Sequence, residues 1–506
     1  MLDKFLNSIT TYRLTLHILI IYVCVAFVLS IFRLLGYSPI DIAFNTFITL
    51  ISSLIANFIF AKLFKAITNT ESVFITALIL VLIFPIKFPH STLVLIFVSF
   101  VAMGSKYLLA IKKRHIFNPA ALAALVFGFT NSSASWWIGS YWMLPVVLVG
   151  GFLIVRKTRR ENLVVNFILL SVLFLIISVL INTGSLERLI STLKTVFLES
   201  PLVFFATIML IEPSSSPSKE KLQKYFAYFV AFLYAVPLFR FLGISLTPEA
   251  ALCIGNVYTF LMSPMYRLDL YLRTKQVLGK NVFAFLFDKK SNFSFLSGQY
   301  MEWTLPHKNT DSRGNRRYFT IASSPTEKAL MIAVKHYDPS SSYKKTLVGM
   351  KKGQRIIASN LSGDFVLPYD LSKPLIFIAG GIGITPFRSM TQYLVDKNLQ
   401  ANIILFYANR TEEEIAFQDT FQKAQNHGVK TIYLLTDNSK VPSDWKGETG
   451  HLTGQMILEK VEDFKERLIY VSGPQLMVQN IEKMLLNLGI SSKNIKTDFF
   501  PGYAEK

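Results

Sequence analysis

Cysteine is nearly missing from this 506-residue chain: there are two, Cys24 and Cys253, each inside a long apolar stretch. A disulfide framework, a four-cysteine zinc site and a four-cysteine iron–sulfur cluster are thereby excluded, and no metal site is read. Electron chemistry would have to rest on organic cofactors or haem. Haem has little to hold it, because His17, His90 and His115 do not supply the spaced pairs that facing helices need. Acidic residues are also scarce, 32 against 52 lysines and arginines, and only 17% of residues are charged while 52% are hydrophobic. That balance is too apolar for one ordinary soluble protein. No small-residue cleavage site follows the first apolar run, so we read it as a retained span.

What is present is unevenly spread. Before about Pro264, apolar stretches recur at 14–36, 43–62, 73–87, 91–111, 118–131, 136–155, 163–182, 196–212, 225–243 and 249–266. Stretches of about 20 residues are long enough to cross a hydrocarbon core of ~30 Å. Alternating the loops puts seventeen lysines and arginines on one side and five on the other. Basic loops stay in the cytoplasm, so the expected location is the cell membrane, multi-pass, with both ends and the soluble part cytoplasmic. The net charge of +20 is then largely topological, and no nucleic-acid partner is invoked. Lys106, Glu199 and Glu212 interrupt the apolar stretches, and Asn118-Pro119 and Glu212-Pro213 break helices, one break in each half. Such breaks survive at membrane depth only where protein or a cavity satisfies the freed backbone, which points to a two-fold repeat around a central site.

The blocks ITALILVLIFPI (75–86), GSKYLLAIKKRHIFNPAALAALVFG (104–128), MLIEPSSSP (209–217) and PEAALCIGNVYTFLMSP (248–264), in that order, resemble the RnfD/NqrB family of flavin-carrying membrane subunits. The resemblance implies an all-α bundle of about ten helices in two inverted repeats, with a flavin site. The family's SGAT-like flavin-attachment motif has no counterpart here, and the corresponding loop at 182–195 is short. A second, non-covalent flavin or a quinone in this part stays open.

The rest of the chain alternates strand-like runs with turns and amphipathic helices. Residues 280–304 read as antiparallel strands, RRYFTIASSP (316–325) and MIAVKHY (331–337) as further strands, and SSSYKKTLVGM (340–350) as a serine-capped helix. From Leu375 the order becomes strand, helix, strand, as in a parallel sheet with helices on both faces. LIFIAGGIGITPF (375–387) is the centre of this half: a buried strand ends in Gly380, Gly381 and Gly383, and Thr385 and Pro386 open a helix. Without Cβ atoms, such a turn brings backbone amides against a pyrophosphate. Ala408–Arg410 and Ser472–Pro474 fall at the carboxyl ends of neighbouring strands, where ligands of open α/β sheets bind.

FxxGQY (295–300), RYFT (317–320), GGIGITP (380–386), YANR (407–410), SGP (472–474) and FFPGY (499–503) occur in the order of the ferredoxin–NADP+ reductase superfamily, which this half resembles. The resemblance implies a flavin-binding antiparallel β-barrel followed by a nicotinamide-binding α/β domain. It assigns FAD to Arg317, Tyr318, Phe319, Thr320, Val334, Ser341 and Ser342, and the nicotinamide nucleotide to Gly380, Gly381, Gly383, Thr385, Pro386, Asn409, Arg410, Gly473 and Pro474. Thr320, Ser472 and a terminal aromatic, Phe500 or Tyr503, would stand at the reacting rings. Phe319 replaces the family's tyrosine and Ser472 its frequent cysteine. The domains expected are 1–270 in the membrane, 276–370 for FAD and 371–506 for NAD(P).

The favoured function is a fused electron-transfer enzyme, an NAD(P)H-dependent flavin oxidoreductase, passing electrons through FAD to a quinone, a flavin or a redox protein in or across the bilayer. Glu412–Glu414, just after Arg410, would repel a 2′-phosphate and lean the choice towards NADH over NADPH. A redox-driven sodium or proton translocator using Lys106, Glu199 and Glu212 is the alternative, and a haem ferric reductase or NADPH oxidase ranks below both.

Overall fold

The computed structural model describes residues 6, 9–64, 66, 70–111, 114–130, 134–235, 246–262, 267–289, 293–311 and 314–500, without the side chains of Arg114, Phe499 and Phe500. Two compact units are present, Met1–Met265 and Tyr266–Lys506.

In the first unit each of the ten apolar stretches carries a helix. They are α1 (Thr11–Ile31), α2 (Pro39–Leu63), α3 (Thr70–Ile83), α4 (Thr92–Leu108), α5 (Pro119–Gly128), α6 (Leu144–Thr158), α7 (Glu161–Thr183), then α8 (Leu186–Leu198) with the segment Leu202–Met209, α9 (Glu220–Ala235) and α10 (Pro248–Met262). Their lengths differ from the expectation. Among the described residues only α1, α2 and α7 are long and apolar enough to cross a membrane, or four if α8 and Leu202–Met209, bent by 54°, form one crossing. Proline is one reason: Pro85 stops α3 after Ile83, leaving a helix of about 21 Å against a core of ~30 Å. α3 is apolar on every side, and Leu78 to Ile83 are all buried, so it forms the centre of this unit.

The two helix breaks meet. Asn118 caps α5 by accepting from the amides of Ala120 and Ala121, both at 3.1 Å. Its own N–H donates to Asn256 Oδ1 at 2.8 Å, and Asn256 Nδ2 donates to the Ser215 carbonyl at 2.9 Å in the EPSSSP turn. Within that turn Glu212 accepts from Ser214 at 2.9 Å and Ser215 at 2.7 Å, with His115 Nε2 3.7 Å away. The N–H freed at one break and a carbonyl of the other are therefore both answered by the Asn256 side chain of α10. Lys106 does not reach for water; it donates to the Ser72 carbonyl at 3.1 Å and to Thr76 Oγ1 at 3.0 Å.

The second unit opens with strand β1 (Arg267–Gly279), earlier than the border expected at 276, because Leu268, Leu270 and Leu272 alternate into a core. β1, β2 (Val282–Asp288), β3 (Tyr300–Thr304), β4 (Arg316–Thr320), β5 (Ala329–Lys335) and β6 (Arg355–Ser362) form a six-stranded antiparallel sheet in the order β4-β3-β6-β1-β2-β5. No ladder joins the edge strands β4 and β5 into a closed barrel among the described residues; the Ala322 N–H, just past β4, donates to the Met331 carbonyl at 2.8 Å. The short helix α11 (Ser342–Val348) packs against this sheet, its Tyr343 fully buried in the sheet's core.

The third layer set is parallel. β7 (Leu375–Gly380), α12 (Thr385–Asp396), β8 (Ile403–Asn409), α13 (Gln418–Ala424), β9 (Val429–Leu435), β10 (Glu448–Thr449), α14 (Gly454–Lys460), β11 (Leu468–Pro474), α15 (Gln475–Asn487) and β12 (Ile495–Phe500) give a six-stranded sheet ordered β10-β9-β8-β7-β11-β12. Both faces are covered: Leu375, Phe377 and Ala379 pack into one cluster, Ile376 and Ile378 into another. That is why the strand reads as a continuous apolar run. Strand order reverses between β7 and β11, and a ligand crevice belongs at the carboxyl ends of that pair.

Candidate functional site

The reversal point carries the glycine turn. Gly380 ends β7, paired with Ala408 of β8, while Ala379 pairs with Ser472 of β11. A Cβ on Gly383 would come within 2.6 Å of Gly473 Cα and of the Ser472 carbonyl carbon, and one on Gly380 would strike the Met477 sulfur. These two glycines are close-approach positions. Gly381 is different: its φ is +52° and nothing lies within 4 Å of its missing Cβ, so the turn is left-handed there and open on one side. Thr385 and Pro386 then begin α12, as expected, with proline in the first turn.

Buried polar groups around this turn lack partners. The Ser472 hydroxyl is fully buried at the end of β11 and makes no hydrogen bond. Asn409, 3% exposed at the end of β8, lies near the Tyr407 hydroxyl, yet neither its amide oxygen nor its nitrogen makes a hydrogen bond of normal geometry. Arg410, Gly473 and Pro474 follow at the same edge, Arg410 and Pro474 exposed. Unpaired buried groups cost about 1–3 kcal/mol each unless a ligand meets them, so this set fits a nucleotide with amide and phosphate groups.

On the antiparallel sheet, β4 presents Arg317 and Phe319 on one side and Tyr318 on the other. The Arg317 guanidinium lies 5.0 Å from the centre of the Tyr343 ring, with Phe319 packed at 5.9 Å from the same ring. Burial pushes the Tyr343 hydroxyl well above its usual range, and that hydroxyl donates to the Trp303 carbonyl at 3.1 Å. Tyr318 is half exposed and donates to buried Glu302 at 2.9 Å, which also accepts from Arg316 at 3.1 Å. Thr320 ends the strand 2% exposed, its hydroxyl without a partner. A flavin edge with its hydrogen-bonding atoms fits that hydroxyl. Val334 offers only main chain, because its side chain is buried in the sheet's core.

Ser341 and Ser342 are more occupied than the sequence implied. Ser341 caps α11 by accepting from the Lys344 amide at 3.2 Å. Ser342 gives its N–H to Asp311 Oδ2 at 2.8 Å and its hydroxyl meets His307 Nε2 at 3.0 Å, while Asp311 stands 3.9 Å from Arg317. A carboxylate thus holds the position where a diphosphate was expected, a feature no motif announced. Phe500 ends β12, but its side chain lies outside the described residues, as does Tyr503 entirely.

The acidic run is also changed by the fold. Glu413 pairs with Lys280 at 2.8 Å and Glu414 with Lys335 at 2.6 Å, and Lys280 holds the Glu413 carboxyl below the usual range. Repulsion of a 2′-phosphate therefore rests on exposed Glu412 alone, and the lean towards NADH loses most of its basis. A cleft of about 480 Å³ lined by Glu412, Tyr433, Trp445 and Glu448 lies at the far edge of the sheet, away from the reversal point.

Comparison with known proteins bears on this half. Residues 377–483 match the family described as the oxidoreductase NAD-binding domain. Flavohemoprotein A of Dictyostelium discoideum is 24% identical over 243 residues, 44% of this chain and 57% of that protein. The stachydrine N-demethylase reductase subunit Stc4 of Rhizobium meliloti is 26% identical over 246 residues, 47% of this chain and 68% of the relative. The chain thus spans a little over half the length of the flavohemoprotein. Among solved structures, the flavohem-like FAD/NAD-binding domain of nitric oxide dioxygenase from Vibrio cholerae aligns over 46% of this chain and 98% of its own, at 20% identity and a TM-score of 0.40. Residues 377–483 thus match an oxidoreductase NAD-binding domain, and the C-terminal half is similar in sequence to flavohemoproteins and to a reductase subunit.

Proposed function

We propose that this chain is a membrane-bound flavoprotein that passes electrons from NAD(P)H through FAD to an acceptor in or across the bilayer, a quinone, a flavin or a redox protein. The observation that carries it is the reversal point of the parallel sheet, where the glycine turn packs against Ser472 and Gly473 and the Ser472 hydroxyl is buried without a partner.

The nicotinamide nucleotide is received by the turn at Gly380–Gly383, whose amides and open side at Gly381 take the pyrophosphate at the start of α12. Asn409 and Ser472 meet polar groups of the ring end, and their burial keeps water from competing. On the antiparallel sheet, Arg317 supplies positive charge, Phe319 an aromatic face and Thr320 a hydroxyl to the flavin. Bound there, FAD supplies acceptance of a hydride from reduced nicotinamide, a solvent proton completing the balance, and release of single electrons to the acceptor. Membrane attachment is supported by α1, α2 and α7, and by the basic bias of the loops that were assigned to the cytoplasm. A ten-helix bundle in two inverted repeats, its RnfD/NqrB likeness, and a second flavin or quinone within it belong to this reading. The meeting of the two helix breaks at Asn256 supports the repeat.

Ion translocation is a weaker reading. Lys106 and Glu212 are both engaged in hydrogen bonds within the bundle, and Glu199 is exposed after α8.

The full chain, purified in detergent, tests the proposal: cofactor extraction with mass spectrometry finds FAD, and NADH or NADPH without oxygen bleaches its absorbance. Protein that carries no flavin, or flavin that neither nucleotide reduces, ends it.

A further inference from the structure

α12 does more than begin at the nucleotide turn. Five residues beyond Gly383 it presents Arg388, 7% exposed, whose Nη1 donates to the Ala322 carbonyl at 3.1 Å. The same guanidinium grips Glu327 with both arms, Nη2 to Oε1 at 2.9 Å and Nη1 to Oε2. Ala322 is two residues past Thr320, the last residue of the flavin strand. Next to it Ser389 donates to the Ser323 carbonyl at 2.7 Å, and Thr326 donates to Asp396 at the end of α12. Glu327 is itself held, accepting from the Ser324 amide at 2.5 Å. The short segment 321–327 is thereby bolted to the helix that carries the glycine turn, with one end of each element at the place where a cofactor ring is expected.

We propose that Arg388 is a positioning residue for hydride transfer, setting the separation of the flavin strand from the nucleotide turn; this rests on the reading given under Proposed function. Fork geometry makes arginine suited to it, because two parallel bonds fix angle as well as distance. A simple ion pair at a domain border would need neither the added bond to the Ala322 carbonyl nor the seat so close to Thr320. Displacement of about 1 Å between reacting groups costs up to about a hundredfold in rate, so a fastener this close to both half-sites acts on the rate before it acts on binding.

The test uses the full chain with Arg388→Met, which keeps the stem and removes the fork, and Arg388→Lys. Expected for R388M are wild-type FAD content, an NADH Kd within about threefold, and a rate of anaerobic flavin reduction lower by about ten- to a hundredfold. A larger primary isotope effect with 4-deuterated nucleotide accompanies this, and amide exchange rises over 321–327 and 381–396. R388K recovers part of the rate. The inference is overturned if R388M reduces its flavin at the wild-type rate, or if the lost rate only follows lost FAD or lost nucleotide affinity. Should R388M not fold, Glu327→Gln takes its place with the same outcomes. If wild type itself does not reduce its flavin, the reading underneath has failed, while raised exchange in R388M would still show the fastener itself.

Discussion

Gly383→Ala isolates the close approach at the reversal point. The added methyl would sit 2.6 Å from Gly473 Cα and from the Ser472 carbonyl carbon, backbone on a central strand with no flexible end to swing away. A Cβ contact under 3.0 Å has to be relieved, so β11 must move outward by several tenths of an ångström or the turn must rotate. Overpacking of this kind costs about 1–3 kcal/mol. For a unit of this size each kcal/mol lowers the melting temperature by about 2–4 °C, which gives an expected fall of about 2–12 °C. Gly381→Ala is the internal control. It meets nothing within 4 Å but is forced to keep a φ of +52°, and its cost is about 1–2 kcal/mol of left-handed strain alone. Nanodiscs or detergent with a flavin-fluorescence melt, and titration of the oxidised protein with NAD+, which cannot reduce the flavin, read both quantities. G383A should lose stability and displace Ser472, weakening nucleotide binding, whereas G381A should lose binding chiefly through the methyl standing on the open side. A G383A protein that melts and binds as wild type would refute the close-packed turn as the nucleotide seat.

Other consequences follow from the same geometry. Thr320→Val removes a buried hydroxyl that has no partner in the protein itself, so the melting temperature of flavin-free protein should hold or rise, while the flavin reduction rate of the loaded protein falls at least several-fold; an unchanged rate denies Thr320 a place at the flavin. Ser472→Ala should behave likewise at the nicotinamide end, with loss in rate larger than loss in affinity, as read by single-turnover absorbance. The Lys280–Glu413 pair has a pH signature with two signs. Glu413's carboxyl is held low, so its contribution is present above the usual glutamate range near 4.3 and is lost as acid protonates it. Lys280 is held high, so its contribution is present below the usual lysine range and is lost only above it. Lys280→Met should accordingly fall short of wild type in stability at neutral pH and approach it only as pH falls through the depressed Glu413 range; a constant gap across that interval would remove the pair from the account. Asp311→Asn should alter FAD retention, tightening it if the carboxylate competes with diphosphate for Arg317 and the Ser342 amide, as dialysis against fluorescence would show.

Several features of the fold and site were legible without coordinates because they are local. Leu375–Gly380 is apolar at every position, which in a short run ended by glycines means burial on both faces, and the two core clusters on either side of β7 are the outcome. The serine cap at Ser341 and the proline start at Pro386 are each written in adjacent residues. The glycine turn declared itself by what it lacks, a Cβ, and the reason for that lack is the backbone of Ser472–Gly473 pressed against it.

Partner choice was not legible. Arg388 and Glu327 are 61 residues apart, Lys280 and Glu413 are 133 apart, and Asn118 and Asn256 are 138 apart. Periodicity and turn chemistry report which face of an element is buried, because that is decided within a few residues. Which charge answers which is decided only when the chain returns on itself. Hence the run Glu412–Glu414 read as a barrier to a phosphate, and the fold spent two of its three carboxylates on lysines of the neighbouring sheet.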